Sequence, residues 1–245
     1  LDSAPDGSAY SNVHAKYHPM LRNIMEKNGW RDLYIVDTLA DSVIYSVGKR
    51  IDFGTSMEDG PFKDTGLAKA YRLAKAAKQG EVAMVDFESY IPADGAQALF
   101  MATPIFIDGS LEGVIVIQIP NNEINRVMTS EKKWASIGFG STGETYLVGN
   151  DGTLRSETRT MIENKKDYLS FLASEDTDSK IMKQIEIFDS GIGLHRIDTS
   201  SAHAAANGEE GEAVIDGHQG EKVFSSFGKL NMPGLNWYII CDMNV

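Results

Sequence analysis

The strand pattern of this chain occurs twice. Tyr34-Ile35-Val36-Asp37 lines up with Tyr146-Leu147-Val148-Gly149, and each is followed by a polar turn and a second strand-like run. Leu99-Phe100 lines up with Val223-Phe224, and Gly113-Val114-Ile115-Val116-Ile117 with Gly234-Leu235-Asn236-Trp237-Tyr238-Ile239. The offset is 112 residues at the first strand and 124 at Phe100, so the second copy carries about a dozen extra residues in its middle. Periods of ~20–50 residues build solenoids, whereas a repeat of this length builds two similar domains.

Each copy reads as helix, two strands, a loop–helix insertion and three strands. Leu21, Ile24 and Met25 share one face of a helix that Gly29 ends, and Leu67 to Lys78 is a second helix closed by Gly80. Asp108-Gly109, flanked by apolar runs, is a hairpin signal. Asn122 to Met128 reads as a short connecting helix, Thr153 to Ser156 as a strand, and Lys166 to Phe188 as one polar helical region. Sequential strands joined by short turns make an antiparallel sheet with helices packed on it. The expected fold is therefore α+β: a long N-terminal helix over 1–30, then two PAS-like modules over 31–130 and 131–245, each an antiparallel sheet flanked by helices. In that arrangement a small ligand lodges between the sheet and the insertion, which spans about 50–80 in the first copy and 158–211 in the second.

A formal net charge of −12 argues against nucleic acid, because phosphate binding needs clustered Lys and Arg. It argues equally against a resting position on anionic lipid. The single cysteine, Cys241, permits no internal disulfide and sits in an apolar run that suits a buried, inert thiol. No stretch of ~18 apolar residues is present to span a bilayer. Both ends read as cut from something longer.

No catalytic set is legible. The chain has no G-x-S-x-G elbow and no P-loop, and Gly138-Phe139-Gly140-Ser141-Thr142-Gly143 precedes a strand where a dinucleotide fingerprint would follow one. His14 and His18 share a helix face without a third ligand, and a solvated pair is the expectation over a metal site. Neither a metal nor a cofactor is implied. Arg155 and Arg159 either hold an anion or pair with Glu157 and Glu163, and the ion pairs are favoured. The binding candidates lie in the first copy: Tyr45, Asp52, Phe53, Phe62, Asp86, Phe87, Tyr90, Phe100 and Thr103. Their aromatic rings serve equally as core. Asp52 and Asp86 stand out, because a carboxylate in an apolar frame needs a partner, either a ligand amine or Arg50, Lys63 or a backbone N–H. Phe100 and Thr103 fall on opposite faces of one strand, and the pattern leaves open which face meets the pocket. The second insertion, rich in Ala and Glu, shows no comparable set.

Four strings, in order, resemble the double Cache sensor ectodomain of bacterial chemoreceptors. Val43-Ile44-Tyr45-Ser46-Val47 leads to Asp52-Phe53-Gly54-Thr55 and then to Gly60-Pro61-Phe62-Lys63-Asp64-Thr65-Gly66-Leu67-Ala68. The second copy opens with Gly138 to Val148, continues to Leu154-Arg155-Ser156-Glu157-Thr158-Arg159, and closes with Val223-Phe224-Ser225-Ser226-Phe227 and Pro233-Gly234-Leu235-Asn236-Trp237. Each string alone is weak; together they cover roughly 30–244. The resemblance implies a periplasmic sensor segment of an inner-membrane receptor, homodimeric at full length and joined to the membrane by flanking helices. It implies a chemotaxis receptor first, and a histidine kinase or nucleotide cyclase next. A secreted hydrolase is the alternative of a different class, and a structural module with filled pockets is a third. The first, membrane-distal module would bind a small molecule and the second would relay the change. The Arg-x-Trp-Tyr string of the family's amino-acid-binding members is absent, which counts against free amino acids as ligands.

Overall fold

The computed structural model describes residues 6–245, which divide into two units after Pro120. The first begins with helix α1 (Ala9–Lys27), where the Ser8 hydroxyl accepts the Ser11 N–H and satisfies one of the helix's free donors. Strands β1 (Asp32–Asp37), β2 (Val43–Ser46), β3 (Ala83–Ser89), β4 (Gln97–Ile107) and β5 (Ser110–Ile119) form an antiparallel sheet in the order β2-β1-β5-β4-β3. The β4–β5 hairpin turns at Asp108 and Gly109, whose φ values of 52° and 83° match the two left-handed positions that Asp-Gly favours.

Helix α2 (Gly66–Lys75) contributes Leu67, Ala70, Tyr71 and Ala74, apolar positions three or four apart, to a core shared with Tyr34, Val36, Phe100, Ala102, Val114 and Val116 of the sheet. A β-carbon added at Gly66 would stand 2.9 Å from the Phe100 ring, so the helix begins as close to the sheet as a glycine allows. Phe100, Ala102 and Pro104 thus point toward α2. Thr103 pairs with Ile115 and Ile115 with Ile35, on the opposite face. A register shift places Tyr45 across from Ile35 while Val43 stays across from Val36. Ile44 is the extra residue, and the bulge turns Tyr45 off the α2 face and toward α1. There the His18 Nδ1 lies 2.8 Å from the Tyr45 hydroxyl. His14 and His18 stack at 4.3 Å and are only 6% and 3% exposed. The expectation of a solvated pair is corrected: the helix face that carries them is the one laid against Tyr45.

The second unit contains α3 (Asn121–Met128), β6 (Glu144–Gly149), α4 (Arg159–Glu163), α5 (Lys165–Ser174), α6 (Ser179–Phe188), α7 (Ser200–Ala206), β7 (Gly211–Asp216), β8 (Lys222–Lys229) and β9 (Trp237–Asn244). Helix α3 belongs here because Thr145 donates to the Met128 carbonyl at 2.8 Å and the Asn125 side chain accepts the Glu157 N–H at 2.7 Å. The division therefore falls ahead of residue 130. The sheet order β6-β9-β8-β7 repeats β1-β5-β4-β3 without a counterpart of β2. The strand expected over Thr153 to Ser156 is reduced to isolated bridges, Val148 with Leu154 and Thr153 with Arg196. One reason is visible: the Ser156 hydroxyl accepts the Leu147 N–H, so a side chain replaces a ladder carbonyl. The polar region from Lys166 to Phe188 is two helices, split where Asp178 caps α6 by accepting the Lys180 N–H.

The register also corrects the alignment of the copies by one residue. Phe100 pairs with Gln118 and Gln118 with Asp32; Ser225 pairs with Asp242 and Asp242 with Glu144. Ser225, not Phe224, is therefore the counterpart of Phe100, and a slip of one residue in a strand exchanges faces. Phe224 is accordingly 43% exposed where Phe100 is buried.

Candidate functional site

The α2-facing end of the first sheet is not apolar. Asp32 and Tyr34 are two apart on β1 and point the same way; Gln118 lies beside Asp32 on β5. Asp52, on the loop after β2, reaches into the same region, and the Tyr90 hydroxyl donates to its Oδ2 at 2.5 Å. All five are buried, with Asp32, Asp52, Tyr34 and Tyr90 at 0% exposure. Tyr90 stands edge-on to Phe100 with ring centres 5.0 Å apart, and with Tyr34 both belong to the core under α2, so the cluster lies at the margin of that core.

The bonding of the cluster is unfinished. Asp32 Oδ1 accepts the N–H groups of Leu33, Val47 and Gly48 at 2.8–3.0 Å. Its Oδ2 accepts nothing, and neither do Asp52 Oδ1 and Gln118 Oε1. The Tyr34 hydroxyl, beside that of Tyr90, also lacks a well-formed hydrogen bond. Burial pushes the Asp32 carboxyl above its ordinary value; its three backbone donors oppose that, and the neighbouring Asp52 reinforces it. Burial and then Asp52 drive the Tyr90 phenol upward, so Tyr90 is a neutral donor at physiological pH. An unpaired buried acceptor costs roughly 1–3 kcal/mol, so the three unfilled oxygens of Asp32, Asp52 and Gln118 together are a demand for donors.

The nine candidates separate. Asp52 and Tyr90 form the centre of the cluster, and Phe100 borders it. Phe62 joins the core under α2. Phe53 is 36% exposed at the loop tip, 6.1 Å from the Tyr10 ring. Asp86 and Phe87 occupy the bulge of β3, where Asp86 Oδ1 accepts the Phe87 N–H. Tyr45 and Thr103 face away from α2, and Thr103 donates to the Glu81 carbonyl. Sequence reasoning passed over Asp32, Tyr34 and Gln118. The available signal was the alternation Asp32-x-Tyr34-x-Val36, which places an acid and a phenol on the buried face of a strand otherwise read as apolar.

In the second unit Arg159 pairs with Glu163 at 3.0 Å and lies over the Trp134 ring at 4.7 Å. Arg155 pairs with Asp151 at 3.1 Å. Glu157 is taken by the Ser190 hydroxyl and the Gly191 N–H. Glu144, missed in the sequence, accepts from buried His218 at 2.7 Å and from the Arg159 N–H at 2.7 Å. Among the described residues no group of three His, Cys, Asp or Glu is set to hold a metal ion, and no helix is long and apolar enough to cross a membrane.

No family model and no curated protein matches the chain. Solved structures do share its fold. The ligand-binding domain of the Pseudomonas aeruginosa PAO1 amino acid chemoreceptor PctC, in complex with GABA, superposes with a TM-score of 0.54 at 16% identity, covering 100% of this chain and 85% of that one. That of the Pseudomonas fluorescens chemoreceptor CtaA, in complex with L-serine, gives 0.51 at 15%, covering 95% and 79%. The extracellular domain of rpHK1S-Z16, described as a histidine kinase, gives 0.56 at 10%, covering 94% and 77%. The two-module α+β fold expected from the sequence is the fold these sensor domains have.

Proposed function

We propose that this chain is the extracytoplasmic ligand-sensing segment of a bacterial transmembrane receptor, and that its first unit binds a small solute bearing a protonated amine. The reading is of a receptor, not an enzyme. One observation carries the ligand class: Asp32 Oδ2, Asp52 Oδ1 and Gln118 Oε1 are buried acceptors of one cluster with no hydrogen-bond donor on them. An ammonium group supplies three donors and one positive charge, which answers both the empty acceptors and the two carboxylates. The PctC and CtaA structures hold GABA and L-serine, each of which carries an amine. The segment between Arg50 and Gly66 contributes Asp52 to the cluster and is the element whose movement would register occupancy; a ligand that prefers one of its arrangements shifts the receptor by linkage.

The full-length protein is proposed as a homodimeric chemotaxis receptor with this segment in the periplasm. A histidine kinase is the second reading, favoured by the likeness to rpHK1S-Z16. Thermal-shift titration with GABA, L-serine, ethanolamine and 1,4-diaminobutane, set against ethanol and 1,4-butanediol, tests the ligand class. A ligand at 100 times its Kd adds about 2.7 kcal/mol, so at least one amine should raise the Tm and neither diol nor alcohol should. Equal shifts for amine and uncharged counterpart would remove the carboxylates from the site.

A further inference from the structure

Helix α1 has two faces that avoid charge, and its own sheet covers one of them. Ser11, His14 and His18 are buried, and Leu21 and Met25 beside them are half-buried. About 100° round the helix, Tyr10, Val13, Tyr17, Met20 and Ile24 remain between 37% and 59% exposed. Their spacing is three, four, three, four, the alternation at which the core positions of a two-stranded coiled coil recur. A helix that packed on its sheet alone would carry polar residues there.

The stripe is also one wall of an apolar groove of about 410 Å³, bounded on the other side by Ile35, Ile44 and Tyr45. Ile44, the bulged residue of β2, is exposed and extends the apolar surface. A freely exposed tyrosine presents on the order of 200 Å², so Tyr10 and Tyr17 each offer about 100 Å². With Val13, Met20, Ile24 and Ile44 the total is on the order of 500 Å², and two such patches make roughly 1,000 Å², the floor for a specific interface. No charge interrupts the stripe. The charged residues of α1 are Lys16, Arg22, Glu26 and Lys27, and Arg22 pairs with Glu26 at 2.8 Å away from it. In a chain of net charge −12, α1 thus carries three cations and one anion and stands apart from the acidic surface that would keep two copies separate.

We infer that this stripe is the contact with a second copy of the chain, α1 packing on α1 about a two-fold axis. Such a contact uses the same patch on both copies, and a row repeating every 3.5 residues keeps facing its own counterpart along the pair. The direction of the pair, though not the contact itself, rests on the receptor reading: two copies held in one membrane run parallel. Val13 then meets Val13 across the axis. Lys16 flanks the stripe on one side and Leu21 on the other, so Lys16 of one copy falls beside Leu21 of the other and like charges stay apart. The contact is independent of the amine reading for the first unit.

Sedimentation velocity over a concentration series reaching about 1 mM tests the contact. An interface of this size is weak, so a reversible monomer–dimer equilibrium is expected within that range. Val13→Glu and Tyr17→Glu set like charges against each other and should each weaken association at least about tenfold. Ala15→Glu, exposed on another side of α1, should change it by less than about twofold. All three positions lie on the surface, and far-UV circular dichroism checks that the variants keep the monomer fold. Val13→Cys in a Cys241→Ser background tests the direction and the contact without adding a charge. It should oxidise to a disulfide-linked dimer, because equivalent residues at the axis of a parallel pair come within disulfide reach, whereas Ala15→Cys should not. A chain that stays monomeric throughout would hand the stripe to a partner of another kind and overturn the inference. Association indifferent to both glutamates would overturn it as well. Association that needs the stripe but yields no Val13→Cys disulfide would overturn the parallel arrangement.

Discussion

Strand β1 carries Asp32, Tyr34 and Val36 on its buried face, and β6 carries Glu144, Tyr146 and Val148 in the same order at the same spacing. Gln118 beside Asp32 is matched by Asp242 beside Glu144. The two units therefore place an acid and a phenol at one end of the same sheet, and they differ in what answers the acid. In the second unit Glu144 is answered internally by His218 and the Arg159 N–H, while Asp242 accepts from the Tyr146 hydroxyl at 2.7 Å on Oδ2 and leaves Oδ1 unfilled. Accordingly Glu144, despite its burial, is lowered from its ordinary value by His218. In the first unit Asp32 is raised and its second oxygen accepts nothing. A buried carboxylate is costly unless its oxygens are paired, and the amine proposed for the first unit would supply the pairing that His218 gives Glu144.

Acid should separate the units most strongly. Unfolded His195 takes up its proton near its ordinary value of 6.5, whereas the folded group waits until about pH 3. The unfolded chain binds the extra proton between those values, so stability is lost as pH falls from 6.5 toward 3, by at most about 5 kcal/mol. His218 works in the opposite sense, its raised pKa adding stability below 6.5, while the lowered Glu144 loses its contribution as pH falls below its ordinary 4.5. The difference between the parent and His195→Phe isolates the first effect. Denaturant melts followed by tryptophan fluorescence should show a smaller acid loss in the variant; identical pH profiles would mean that His195 is not held neutral by burial.

The cores offer the next contrast. Phe100→Ala empties the layer between β4 and α2 and should cost about 3–5 kcal/mol in denaturant melts, with α2 loosened. At the topologically equivalent Ser225, whose Oγ lies near Asp242, substitution by Ala should cost only about 1 kcal/mol. Costs that come out alike would show that the register, and with it the comparison of the copies, is misplaced. Gly191→Ala is a smaller probe. The added β-carbon falls on the Tyr168 hydroxyl and 3.3 Å from Glu157, so about 1–3 kcal/mol should be lost together with the Tyr168–His195 bond, seen as a shift of the His195 ring signals.

Much of this architecture was legible beforehand, because strand alternation and Asp-Gly turn chemistry are local. The hairpin at Asp108-Gly109 and the helix expected over Leu67 to Lys78, which the structure places at Gly66–Lys75, follow from neighbouring residues. The failures are non-local. Nothing near Ile44 announces the bulge that turns Tyr45 toward α1, and the apparent match of Phe100 with Phe224 hides a one-residue slip that only strand pairing reveals. Two members of the acid–tyrosine cluster, Asp52 and Tyr90, were among the sequence candidates, because they sit in loop-like sequence where a polar residue draws notice. Tyr34 was read only as strand and Asp32 fell just ahead of it, and their meeting with Asp52 depends on contacts between segments about twenty residues apart.

The central claim is that the first unit's unfilled acceptors bind an amine. Isothermal titration of the parent and Asp52→Asn with whichever of GABA, L-serine, ethanolamine or 1,4-diaminobutane stabilises the chain tests it most directly. Asp52→Asn keeps the shape, removes the charge and retains the Tyr90 contact through its carbonyl oxygen. The account predicts at least a tenfold loss of affinity, about 1.4 kcal/mol, and weaker binding to the parent as acid protonates Asp32. An affinity unchanged by Asp52→Asn and indifferent to pH would contradict it.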